Sequence, residues 1–101
     1  MDTGENTEGI AELLMRLKSL TDIVDLIREK TALTEDEGGY RGVCVFHHDV
    51  GTSLFVNPVA SIYKCEVCRD SGDGLAFVQR AYRLSFTEAV LFLADRYEVP
   101  R

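Results

Sequence analysis

All the soft metal ligands of this 101-residue chain fall within about a third of its length. Residues 40 to 74 read YRGVCVFHHDVGTSLFVNPVASIYKCEVCRDSGDG and hold all three cysteines and both histidines. Cys44 and His47 form C-x-x-H, and Cys65 and Cys68 form C-x-x-C, with 17 residues between the two half-sites. An x-x spacing lets the chain reverse so that both side chains aim at one ion, and two such turns build a tetrahedral site. A Cys₃His set favours Zn²⁺ over calcium or magnesium, which take oxygen ligands, and over an iron–sulfur cluster, which usually takes four cysteines. The plain alternative for each cysteine is a buried, inert thiol. Matched pairs argue against it. His48 competes for the fourth position, since C-x₃-H is also open to it, while His47 gives the two half-sites the same spacing.

Four protein ligands leave no open position for water, so the expected metal is structural, and no catalytic residue is expected. Its weight in a chain this short is large. Structural zinc contributes an apparent ~10–16 kcal/mol in small peptides, and a small domain keeps only about 5–15 kcal/mol of net stability. A redox reading of Cys65 and Cys68 is disfavoured, because that motif wants a βαβ setting, and a second half-site competes here for the same sulfurs. No Ser-His-Asp or paired-carboxylate arrangement stands out.

The remaining composition narrows the class. With 46% hydrophobic residues the chain can bury a modest core. The N-terminal MDTGENTEGI is polar and acidic, unlike a secretory leader, and no stretch approaches the ~20 apolar residues of a membrane span. A soluble, cytoplasmic protein with reduced cysteines and no membrane contact is the expectation. The formal charge of −6 argues against nucleic-acid binding over the molecule as a whole, because phosphate contacts need clustered Lys and Arg.

Along the chain, residues 1–9 are Gly, Thr and acid and read as a disordered tail. Residues 10–33 carry helical periodicity, with Thr21 or Asp22 placed to cap a second helix. Thr34 to Gly39 reads as an acidic turn. Residues 40–72 hold short β-branched and aromatic runs separated by turn residues, as in antiparallel strands, and RDSGDG reads as a turn. Residues 73–97 return to helices, with Asp73 as a cap and Ser85 to Glu88 at capping-box spacing. The expected architecture is α+β: one domain over 10–101, with a small antiparallel sheet carrying one tetrahedral zinc site between N- and C-terminal helices.

Taken in order, DIVDLI (Asp22 to Ile27), YRGVCVFH (Tyr40 to His47), TSLFVNP (Thr52 to Pro58), YKCEVC (Tyr63 to Cys68) and LSFTEAVLFLADRY (Leu84 to Tyr97) resemble the N-terminal CHC-type zinc-binding domain of bacterial DnaG-type primases. The likeness runs through almost the whole chain from Asp22 onward. It implies a zinc ribbon with Cys44, His47, Cys65 and Cys68 as the ligands. It also implies contact with single-stranded template DNA, and help in primer initiation beside a separate polymerase core or another replication protein.

The departures from the family are electrostatic. Glu35, Asp36 and Glu37 stand where Lys and Arg are common, HDVGTSL after the ligand histidine offers no cation, and Val45 replaces a proline. The cations left in the ribbon are Arg41, Lys64 and Arg69, and with Tyr40 and Tyr63 they form the candidate nucleic-acid surface. Arg80, Arg83 and Arg96 read as a solvated charged face or as partner contacts. Two functional readings follow. One is a template-binding primase module. The other is an acidic zinc-ribbon interaction or regulatory module that has lost DNA binding.

Overall fold

The computed structural model describes residues 3–46 and 51–99, with side chains from Ala11 onward. Helices α1 (Thr3–Leu20) and α2 (Ile23–Arg28) precede five strands, β1 (Leu33–Asp36), β2 (Gly39–Gly42), β3 (Leu54–Asn57), β4 (Ile62–Cys65) and β5 (Ser71–Asp73). Helices α3 (Gly74–Tyr82) and α4 (Phe86–Arg96) follow. The strands form one sheet in chain order, each antiparallel to the next. Among the described residues no helix is long and apolar enough to cross a membrane.

Local chemistry sets the helix boundaries. The carboxylate of Asp22 accepts the Asp25 N–H at 3.1 Å and opens α2, while Thr21 Oγ1 donates to the Leu17 carbonyl at the end of α1. Asp73 caps α3 by accepting the Ala76 N–H at 2.9 Å. At α4, Ser85 and Glu88 close a reciprocal capping box, with bonds of 3.1 and 2.8 Å.

Three elements differ from the sequence expectation. Helix α1 begins at Thr3, inside the stretch expected to be a disordered tail. Once a helix is nucleated, each added residue brings one further backbone hydrogen bond, so propagation does not need an apolar stripe. Leu33–Asp36 is a strand rather than part of the acidic turn, with Leu33 its one buried residue, and only Glu37 and Gly38 turn the chain. Ser71–Asp73 likewise pairs with β4 where a turn was expected. Both are edge strands. Their partner's backbone groups hold them there, and that pairing leaves little hydrophobic signature.

Burial forms two clusters that share α2 and α3. Ile23, Val24 and Ile27 of α2 and Phe77 of α3 pack on the inner face of the sheet with Leu54, Val56, Tyr63, Cys44 and Cys65. Leu26 of α2 and Val78 of α3 instead join Leu17, Ala89, Val90 and Leu93 between the helices. Tyr63 is 1% exposed, and its ring meets Phe77 edge-on with centroids 5.5 Å apart. At Gly72 an added Cβ would stand 2.7 Å from the Ala76 Cβ, so glycine lets β5 lie close under α3 beside the Tyr63 ring.

Phe77 is 0% exposed and joins sheet to helix. Phe77→Ala should therefore cost about 3–5 kcal/mol in urea unfolding of the zinc-loaded protein. Val59→Ser, at a side chain 93% exposed, should stay within about 0.5 kcal/mol of the parent. Equal effects from the two would show that Phe77 does not join the layers.

Candidate metal centre

Two chain reversals bring the sulfurs together. Cys44 follows β2, and Cys65 is the last residue of β4, paired across from Leu54 of β3. Both are buried in the sheet cluster, while Cys68 lies exposed on the turn after β4. That turn is tight: the Arg69 N–H donates to the Cys65 carbonyl at 2.9 Å, and Arg69 takes a left-handed φ of 59°.

The three Sγ atoms lie within 4.8 Å of one another, and those of Cys44 and Cys68 are 3.9 Å apart. A tetrahedral zinc with Zn–S bonds near 2.3 Å spaces its sulfurs about 3.8 Å apart, so the cluster is already close to the dimension the metal needs. Backbone donors also face the sulfurs. The Phe46 N–H points to Cys44 Sγ and the Cys68 N–H to Cys65 Sγ, each at 3.4 Å. Ser53 Oγ lies 3.5 Å from Cys65 Sγ. Such donors favour thiolates and orient them, as outer hydrogen bonds do around bound metal. The donor chemistry fits zinc.

The two buried thiols have opposite proton preferences. Burial is the largest influence on Cys44 and pushes its pKa up to about 12, against the Phe46 N–H, which favours the thiolate. Burial also raises that of Cys65, but the Cys68 N–H, the Ser53 hydroxyl, the Cys68 thiol and the Val67 N–H together outweigh it and bring the value down to about 6. His47 and His48, the two expectations for the fourth ligand, lie outside the described residues.

The candidate nucleic-acid residues divide between the two faces of the sheet. Tyr40 and Tyr63 both oppose Val56 and therefore point inward. Tyr63 is core, and its hydroxyl donates to Asp70 at 3.4 Å. Burial, with the Asp70 charge next, holds that phenol above its ordinary pKa, so it keeps the proton it donates. A base cannot reach it, which corrects the expectation that Tyr63 stacks on nucleic acid. Tyr40 is half-buried against the same cluster, and the Arg28 guanidinium covers its ring at 5.2 Å. Arg41 and Lys64 both oppose Phe55 and so lie on the outer face. The Arg41 guanidinium stands 5.3 Å from the Phe55 ring centre and reaches Asp36 at 3.0 Å and Glu66 at 3.4 Å. Arg69 is exposed on the C-x-x-C turn, outside the sheet.

Phe55 was not among the candidate nucleic-acid residues, yet it stands between Arg41 and Lys64 on the outer face. The alternation Leu54 in, Phe55 out, Val56 in would have put it on the solvent face. Asp70, which bonds Tyr63 and lies 2.6 Å from Arg80 Nε, carried no signal in its local sequence.

Residues 10–100 match the CHC2 zinc finger of the DnaG zinc-ribbon family. The DNA primase of Clostridium acetobutylicum is 38% identical over 88 residues, covering 87% of this chain and 15% of the primase. That of Thermotoga maritima is 39% identical over 85 residues, covering 84% and 15%. The crystal structure of the Aquifex aeolicus primase, comprising zinc-binding and RNA polymerase domains, aligns with a TM-score of 0.80 at 38% identity, over 85% of this chain and 21% of that one. The chain thus spans about 15% of the length of these curated relatives. Because the match runs through both cysteine half-sites and on through the last helix, the chain belongs to the CHC2 zinc finger family, as a zinc-binding domain of DnaG primase type.

Proposed function

We propose that residues 10–101 form one module that holds a structural zinc through Cys44, His47, Cys65 and Cys68. The module binds single-stranded DNA on the outer face of its sheet and assists primer initiation by a separate polymerase core. The relatives are DNA primases, and the Aquifex chain carries an RNA polymerase domain beside its zinc-binding domain. Polymerisation would be the work of such a core. When bound, the metal ties the turn after β2 to the turn after β4. The residues of this chain then present the face.

The observation that carries the reading is the row Arg41, Phe55, Lys64, in register across β2, β3 and β4. Arg41 over the Phe55 ring, with Lys64 paired across from that ring, combines a stacking surface with cations, the two elements that bind single strands without reading sequence. Stacking on such a platform contributes about 1–3 kcal/mol per base. Asp36 and Glu66 already hold Arg41, so few cations are free to meet phosphate, and binding should be weak and steeply salt-dependent.

A second reading draws on that same pairing. With three thiolates and one zinc the formal charge of −6 becomes about −7, and carboxylates flank Arg41, one of the two cations of the face. A basic protein partner would suit this surface if DNA does not.

Fluorescence anisotropy of labelled oligo(dT) against the zinc-loaded protein separates the two readings. Binding at low salt that weakens near physiological salt is the expected result. Arg41→Ala with Lys64→Ala should lower affinity about tenfold or more and leave the zinc content unchanged. No binding at any salt, or an unchanged affinity in the double variant, would remove the sheet-face reading.

The ligand set has its own test. Cys68→Ala and His47→Ala should each release zinc and abolish a cooperative thermal transition, because the metal's ~10–16 kcal/mol matches or exceeds the net stability of so small a domain. His48→Ala should retain the metal. Zinc content by atomic absorption and melting by circular dichroism decide this, and a His48→Ala protein that loses zinc would move the fourth ligand to His48.

A further inference from the structure

A cleft away from the outer sheet face gathers cations in a chain that is otherwise acidic. Lys30 beyond α2, Phe46 after the first cysteine, and Gln79, Arg80 and Arg83 at the end of α3 line a cavity of about 520 Å³. Among the described residues no carboxylate lines it. The volume lies within the ~300–1,000 Å³ range of small-molecule sites.

The cations are positioned rather than loose. The Arg80 guanidinium lies 4.8 Å over the Phe46 ring, and its Nε stands 2.6 Å from Asp70, a carboxylate 16% exposed. Its terminal nitrogens bond to no described residue. With its centre over one ring and its Nε beside a carboxylate, the guanidinium keeps its terminal donors available. Lys30 Nζ rests 4.4 Å from the Tyr82 ring centre. Arg83 occupies the left-handed cap of α3 at φ 57°, where glycine is the residue without a steric cost, so a cation stands there at a conformational penalty.

Cations outnumber the carboxylates at the cleft. Asp70 meets Arg80, and Glu29, which bonds Tyr82 beside Lys30, is paired with Arg96, so Lys30 and Arg83 stand against the negative end of α3 and the metal centre beside Phe46. Fork donors, an ammonium group and the Gln79 amide are the groups that recognise the oxygens of a phosphate.

We propose that this cleft binds a phosphate group of a nucleotide, whether free or within a strand, as a site separate from the sheet face. It shares no residue with the row Arg41, Phe55, Lys64, so either site can fail without the other.

The test is an NMR titration of the zinc-loaded protein with inorganic pyrophosphate, with ATP and with oligo(dT), following backbone amides from Gln79 to Arg83. Saturating shifts at these amides are expected. Lys30→Glu and Arg83→Glu should each weaken the binding about tenfold, while Arg41→Ala with Lys64→Ala leaves pyrophosphate binding unchanged. Shifts from pyrophosphate and ATP would assign a free nucleotide, and shifts from oligo(dT) alone would assign a strand. If none of the three probes moves these amides, or if both charge reversals bind as tightly as the parent, the site does not exist. Zinc content and melting of each variant confirm the fold, and the amide map of the parent decides the matter alone should a variant fail to fold.

Discussion

Two sulfurs of the metal cluster are also core atoms. Cys44 and Cys65 are buried among Leu54, Val56 and Tyr63, so the cluster is continuous with the packed inner face of the sheet. The turn after β2 and the turn after β4 are tied by the same groups that fill the interior. Burial desolvates both thiols, and they differ in acidity because Cys65 also collects donors from a tight turn. A divalent ion satisfies both, because it takes thiolates and supplies the positive charge that burial denies them.

The period of two in a strand then divides the sheet's labour. Val56 and Tyr63 turn inward as a cross-strand pair and hold Phe77, which fastens α3 to the sheet. Phe55, Arg41 and Lys64 turn outward in register and form the only cross-strand row of the described residues that joins an aromatic ring to two cations. A shift of register by one residue would exchange these sets, placing charges in the core and the buried tyrosine in water. The face proposed to meet DNA and the face that stabilises the domain are therefore fixed by the same pairing.

Electrostatics is local in this molecule. The chain is acidic overall, yet three of its arginines are individually engaged: Arg41 with Asp36 and Glu66, Arg80 with Asp70, and Arg96 with Asp25 and Glu29. Charges separated by more than about 10 Å are largely screened at moderate salt, so net charge says little about what one cleft or one strand row can attract. The cationic cleft at the end of α3 is the clearest case. Its cations come from two helix ends that are about 50 residues apart in the chain, Lys30 on one side and Arg80 and Arg83 on the other.

Features governed by near neighbours in the chain could be read without the structure. The grouping of the three cysteines, the caps at Asp22, Asp73 and Ser85, and the helix–sheet–helix order could all be read from residues near in the chain. The edge strands β1 and β5, the inward turn of Tyr63 and the convergence of Lys30 with Arg83 could not be read that way. A strand such as Thr34–Asp36 exists because β2 offers it hydrogen bonds, and a tyrosine is core or platform according to the residue paired across from it. The cysteine pattern and the helix ends are thus written in local sequence, while the face each side chain takes, and the charges brought beside it, come from pairings between residues distant in the chain.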